Sequence, residues 1–197
     1  MQDLIKNQYI KTRNTFNAIL QNPELISNIE KSVLLIKECL ENGGKILLCG
    51  NGGSAADSQH IAAELIGRFS FNRKALAALA LTTDTSALTA IGNDFSFDEI
   101  FSRQVEGLGK KDDILVGFST SGKSRNVLKA MQVAKALQLK TIAFLGEHGR
   151  DIGEIADISL NIPSTETPNI QEGHIATGHI LCACLEELMF NSVKISS

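Results

Sequence analysis

The sequence predicts an α/β protein: a doubly wound, parallel, five-stranded sheet with extra helices at the N-terminus. Three observations predict it. Short apolar runs alternate with helical stretches. The runs are almost continuously apolar, as strands covered on both faces are. Glycine-rich or hydroxyl-rich loops follow strand ends, where ligands bind in such sheets.

Each element has its own signal. Residues before Asn22-Pro23 include Ile5, Ile10, Phe16 and Leu20 and read as one helix broken at that dipeptide. Ile26, Ile29, Val33, Leu34, Ile36 and Leu40 then mark an apolar face at helical spacing, stopped by Asn42-Gly43-Gly44. These two helices precede the first strand. They are expected to lie outside the core of a small parallel sheet and to pack against a partner subunit. Strands are expected at 45–49, 75–81, 113–118, 140–145 and 158–162. Helices are expected at 55–67, at about 125–137, and from near Gln171 to Phe190. The loops beyond strand ends are then 50–54, 82–94 and 119–124.

Length and charge narrow the classes. A chain of 197 residues fits one domain spanning 1–197, with helices in 1–43 and the ligand-binding α/β core in 45–197. It can bury a sizeable core without disulfides or a structural metal. A formal net charge of −3 gives no electrostatic case for nucleic acid or an anionic membrane. Residues 1–20 carry Asp3, Lys6, Lys11 and Arg13 without a long apolar run, so neither a signal peptide nor a membrane span is expected and a cytoplasmic location is. Cys39, Cys49, Cys182 and Cys184 lack zinc-finger spacing and read as buried or half-buried free thiols.

The loop Ser119-Thr120-Ser121-Gly122-Lys123-Ser124 joins a strand to a helix and offers four hydroxyls in six residues. Free backbone N–H groups and the dipole of a helix N-terminus make such a place an anion site. Gly122 permits the positive φ that lets the chain curl around the anion. Capping alone accounts for one or two hydroxyls but not four. The Walker spacing is absent. Gly50-Asn51-Gly52-Gly53-Ser54-Ala55 matches the dinucleotide fingerprint formally, yet residues 70–80 lack the acid a nicotinamide dinucleotide site wants. A close approach of backbone to a smaller ligand is the better reading.

His60 and Glu64 stand four apart on the expected 55–67 helix and so share a face. Near a phosphate loop they suit proton transfer or metal ligation. The last helix begins Gln171-Glu172-Gly173-His174 and continues to His179. Gln171 and His174 share a face, and His179 lies about 12 Å further on. Spacing leaves open which histidine is functional. His148 reads as a solvated loop residue.

These residues carry a resemblance. The runs Cys49 to His60, Ala63-Glu64-Leu65, Gly92-Asn93-Asp94, Ser119 to Gly122 and Gln171-Glu172-x-His174 resemble the phosphoheptose isomerases of the sugar isomerase (SIS) fold, nearly end to end. The resemblance implies conversion of D-sedoheptulose 7-phosphate to D-glycero-D-manno-heptose 7-phosphate, towards activated heptose. It implies a homotetramer with active sites at subunit interfaces. It implies one zinc per subunit on His60, Glu64, Gln171 and His179. Substrate contacts are implied at Asn51, Gly52, Gly53, Ser54, Glu64, Asn93, Asp94, Ser119, Thr120, Ser121, Ser124 and Gln171. Residues 165–169 are the least familiar stretch.

Aldose–ketose isomerisation moves a proton between adjacent carbons through an enediol, so it needs a base at carbon and an acid or base at oxygen. Glu64 is expected as the base and His179 as the acid, with zinc polarising the oxygens. A carboxylate bound to zinc is a poorer base, which sets these two roles of Glu64 against each other. A rival is a non-catalytic SIS relative that binds the replication initiator protein; its pattern lacks a histidine at the position of His179. A second is an SIS sensor or isomerase for another sugar phosphate, whose regulators usually carry an added DNA-binding domain. No basic helix-turn-helix fits in the first forty residues here.

Overall fold

A computed structural model of the chain describes residues 1–190; residues 191–197 of the expected 1–197 domain lie outside the described residues. Its centre is a five-stranded sheet of β1 (Ile46–Gly50), β2 (Ala78–Ala80), β3 (Ile114–Ser119), β4 (Lys140–Leu145) and β5 (Ile158–Asn161). The order is β2-β1-β3-β4-β5 and every pairing is parallel. Around it lie α1 (Gln2–Leu20), α2 (Pro23–Glu41), α3 (Gly53–Ile66), α4 (Thr85–Asp94), α5 (Ser102–Leu108), α6 (Arg125–Ala136), α7 (Arg150–Ile155) and α8 (Thr167–Phe190). A short 3-10 turn spans Phe97–Glu99.

Alternation along the strands sorts the core into two layers. Ile46, Leu48, Ile114, Val116, Phe118, Ile142 and Phe144 pack with α2, α3 and α8 on one face. Leu47, Cys49, Leu115, Ala143 and Leu145 pack with α5, α6 and α7 on the other. This is the doubly wound arrangement that the apolar runs predict. Three of the four cysteines are buried and Cys184 is half-buried, all as free thiols.

One expectation is corrected. The second N-terminal helix is part of the core, because Leu25, Ile29, Val33, Ile36 and Cys39 of α2 are all buried within it. The physical reason is coverage. Helix α3 follows β1 and covers the β1–β2 side, which leaves the β5 side of the same face open. Helix α2 fills it, packing on α8 and β5, with Asn28 donating to the Ser159 carbonyl at 3.2 Å. Asn22 caps α2 by accepting from the Leu25 N–H at 3.0 Å, and Pro23 sits where a missing N–H costs nothing. Helix α1 joins the core only at its end, through buried Ile19 and adjoining Phe16, while Leu4, Ile5, Tyr9, Ile10 and Leu20 are exposed.

Other boundaries shift for local reasons. The strand expected over 75–81 pairs only at Ala78–Ala80, at the sheet edge, where Leu79 is exposed. The last helix starts at Thr167, with Pro168 tolerated in its first turn. The loop expected over 82–94 is mostly α4, capped by Asp84 accepting from the Ala87 N–H at 2.9 Å. No residue of α4 is fully buried, and only Leu88 and Ile91 pack against the core, which leaves a short apolar face to read. Among the described residues no helix is long and apolar enough to cross a membrane.

His174 belongs to this core. It is fully buried, with Phe118 and Phe144 edge-on to its ring, and its Nε2 is 3.1 Å from the Leu145 carbonyl. Its Nδ1 has no partner among the described residues. Burial lowers its pKa to about 4, which the Leu145 bond only partly offsets. The unfolded chain therefore binds a proton below pH about 6.5 that the folded chain refuses until about 4. Stability held by the neutral ring is full above that window and lost as pH falls through it. His174→Gln keeps a donor for Leu145 and removes the titration. Urea unfolding is expected to show this variant less stable at pH 7, with the gap to wild type closing by about 3 kcal/mol towards pH 4.

Candidate functional site

The strand order places a switch point between β1 and β3, where consecutive connections leave in opposite directions and a crevice opens beyond the strand ends. Gly50 and Phe118 are in register there, so the 50–54 and 119–124 loops lie side by side. A reciprocal amide pair joins them. Asn51 Nδ2 donates to Asn126 Oδ1 at 2.9 Å, and Asn126 Nδ2 donates to Asn51 Oδ1 at 2.8 Å. Asn126 is buried and its Oδ1 also accepts from the Val127 N–H. The side chain of Asn51 is thus committed to the scaffold.

The hydroxyl loop has the shape of an anion cradle. Ser119 Oγ and Ser124 Oγ are 2.9 Å apart, and Ser121 Oγ accepts from the Lys123 N–H. Ser124 stands at the N-cap of α6 yet makes no capping bond; of the first-turn N–H groups, that of Val127 is taken by Asn126 Oδ1, while those of Arg125 and Asn126 face the loop end where an anion could sit. Gly122 has φ +67°, and a Cβ there would fall 2.3 Å from the Gly149 carbonyl oxygen. Thr120 and Ser121 border a cavity of about 210 Å³ shared with Lys123, His148 and Arg150. His148 is exposed, as its sequence setting predicts.

The second half of the site lies along α3 and α8, which run in the same direction. Gln171 lies over Gly53 at the head of both helices: a Cβ on Gly53 would fall 2.3 Å from Gln171 Nε2. About two turns further along α3, His60 Nε2 is 2.9 Å from His179 Nε2. Glu64 Oε1 is 3.3 Å from His60 Nε2. The donor atoms of His60, Glu64 and His179 all lie within 4.8 Å of one another. The structure separates the two histidines that spacing left open. His179 joins the cluster, while His174 is enclosed in the core.

Two imidazoles and a carboxylate are the donor types that divalent zinc takes. Tetrahedral zinc at about 2.0–2.1 Å holds its nitrogens about 3.3 Å apart, so the histidine pair needs to open by only a few tenths of an ångström. The residues fit such an ion. Asp57, one turn before His60, has a buried Oδ2 without a partner among the described residues. Burial pushes its carboxyl up to about 6, against the pull of His60.

Other implied residues stand apart in the chain. Ser54 is buried at the start of α3, close beneath Gly50. Gly52 has φ +57° and turns the chain into α3. Asn93 and Asp94 are exposed at the end of α4 and bond to each other at 2.8 Å. Among the described residues no hydrogen bond takes them to the histidine cluster or to the hydroxyl loop. Sequence reading missed Asn126, and also Arg73, Phe69 and Glu186, which surround the end of α3. A buried asparagine, arginine or glutamate has no periodic or motif signal. Its role appears only once its partners are in place.

Comparisons with known proteins agree with this geometry. The SIS domain family model matches residues 9–146. A phosphoheptose isomerase of Helicobacter pylori is 50% identical over 186 residues, which is 94% of this chain and 96% of that protein. One from a Nitratiruptor species is 51% identical over 187 residues, covering 95% and 99% of the two chains. The solved structure of a phosphoheptose isomerase from Neisseria gonorrhoeae superposes with a TM-score of 0.89 at 43% identity, covering 94% of this chain and 98% of that one.

The amide clasp between the loops yields a prediction. Asn126→Ala strands the amide of Asn51 and the N–H of Val127. Urea denaturation is expected to show a loss of about 1–3 kcal/mol, more than a surface Asn costs.

Proposed function

The chain belongs to the phosphoheptose isomerases of the SIS-domain family, and on that premise we propose which of its residues turn D-sedoheptulose 7-phosphate into D-glycero-D-manno-heptose 7-phosphate. The observation that carries the assignment is the meeting of His60, Glu64 and His179 on the paired helices α3 and α8. It supplies a carboxylate and an imidazole together, on a helix whose head adjoins a loop suited to phosphate.

The Ser119–Ser124 loop and the N-terminus of α6 hold the phosphate through hydroxyls and backbone N–H groups. Thr120 and Ser121 belong to this cradle. Gly52 and Gly53 bring the backbone of the first loop close to the sugar, and Asn51 serves through its main chain. Ser54, Asn93, Asp94 and Gln171 complete the substrate contacts. Fixing the phosphate sets which carbons lie over the proton-transfer pair. Glu64 removes a proton from C1 of the ketose and returns it to C2. His179 gives a proton to O2 and takes one from O1, so the enediol collapses to the aldose with all protons accounted for. His60, Glu64 and His179 would hold one zinc per subunit, and that zinc would polarise the substrate's carbonyl oxygen; Gln171, at the head of α3, would have to reach down the helix to join them as the fourth ligand. A carboxylate has two oxygens, so Glu64 can face the metal with one and the carbon with the other.

We also propose a homotetramer in the cytoplasm with its active sites at subunit interfaces. An apolar groove of about 610 Å³ runs between α1, α2 and α8 and includes Leu20, Ile26, Leu34, Ile180 and Leu188. All five are exposed in the single chain. Patches of this kind are what subunits cover. Ile180 follows His179 on α8, so the groove is built partly on the helix that carries His179.

Two experiments test these readings. Pure protein is incubated with sedoheptulose 7-phosphate, with and without a chelator, and product is followed by NMR. Turnover is expected, with loss on chelation and return on adding zinc. Glu64→Gln should lower kcat by more than about 100-fold while substrate still binds; an active variant overturns the role of Glu64. Separately, Ile180→Glu is expected to shift the light-scattering mass from tetramer towards smaller species and to take activity with it.

A further inference from the structure

Glu186 and Arg73 form an ion pair whose side chains are only 2% and 1% exposed. Such a pair is costly to bury unless every polar atom is used. Here they are used on the two elements that carry the proton-transfer residues. Arg73 Nη2 donates to the Glu64 carbonyl at 2.8 Å, and Nη1 donates to the Leu65 carbonyl at 2.7 Å. Both are last-turn carbonyls of α3, which the helix itself cannot satisfy. Arg73 Nε donates to Glu186 Oε1 at 2.9 Å. The same oxygen accepts from the Phe69 N–H at 2.7 Å, and Oε2 accepts from the Ser70 N–H at 2.7 Å.

The other end of the device reaches His179. Glu186 lies a heptad beyond His179 on α8, so the two share a face. The ring of Phe69, whose N–H Glu186 holds, packs on the imidazole of His179 with centroids 5.6 Å apart. One pair of buried side chains thus fixes the backbone of Glu64 through Arg73 and the ring seat of His179 through Glu186 and Phe69.

We propose that the Arg73–Glu186 pair is a positioning device that holds Glu64 and His179 at a fixed separation for proton transfer. It touches neither substrate nor metal. The proposal rests on the assignment of Glu64 and His179 above. It predicts a loss in kcat rather than KM, because the phosphate loop lies at the other end of α3 and its contacts stay intact. Misplacement of reacting groups by about 1 Å costs on the order of 100-fold.

The test compares two kinds of variant with wild type at 25 °C. The double substitution Arg73→Met with Glu186→Leu replaces the pair by apolar groups of similar length, a change that commonly preserves a fold. Glu186→Gln keeps the shape and weakens the pair, and stands in if the double variant does not fold. Circular dichroism and thermal melting establish how much protein is folded. The folded variants are expected to isomerise sedoheptulose 7-phosphate with kcat down about 10- to 100-fold and KM within about twofold of wild type. A kcat within twofold of wild type, with only the melting temperature lowered, reduces the pair to a structural role and overturns the proposal. Equal losses in kcat and phosphate affinity overturn it as well. Wild-type turnover and the Glu64→Gln result judge the assignment of the site independently, so the two failures are distinguishable.

Discussion

Everything in the site depends on how closely α3 lies against α8. Two glycines set that distance. A Cβ on Gly53 would collide with Gln171, and one on Gly178 would fall 2.5 Å from Ile61 Cδ1. Both contacts are with the ends of side chains, and at these two points the helices run close together. That approach brings His60 and Glu64 of one helix to His179 of the other. A helix pair packed through larger side chains would sit farther apart, beyond the reach of short bonds between two imidazoles.

The sheet adds the second coordinate. The reversal of connections between β1 and β3 leaves adjacent loops at one end of the molecule, and the paired amides of Asn51 and Asn126 keep them adjacent. Helix α3 starts in one of these loops and ends at the Arg73–Glu186 pair. A ligand anchored at the head of α3 can thus be presented to groups lower on the same helix without any moving part. Rigidity comes from bonds at both ends of α3 and from glycine contacts along it.

Much of this was legible in the residues because the signals are local. The apolar runs of β1, β3 and β4 marked the strands and the layering. The hydroxyls of Ser119, Thr120, Ser121 and Ser124 marked an anion loop, and the spacing of His60 and Glu64 marked one helical face. What was not legible depends on partners distant in the chain. His174 and His179 look equally functional until α8 is packed against the sheet and one ring is seen to be enclosed by Phe118 and Phe144. Helix α4 has no fully buried residue, and Leu88 and Ile91 alone make too short a face to mark it. Arg73 and Glu186 are 113 positions apart and carry no motif that links them.

The misplaced expectation for α2 is instructive in the same way. Counting strands and crossovers assigns each covering helix to a connection, which leaves the N-terminal helices without a place. The surface that matters is the area each helix covers, and α3 does not extend over β5. Helix α2 takes the vacant half, with its buried stripe facing β5 and α8. Once α2 is core, α8 is held from two sides, by α2 and by α3. His179 then sits on a helix wedged between neighbours rather than on a free terminal segment. The apolar residues that α1, α2 and α8 still expose line one groove on the opposite side of α8 from α3, so the same helix that carries His179 also carries the uncovered apolar face.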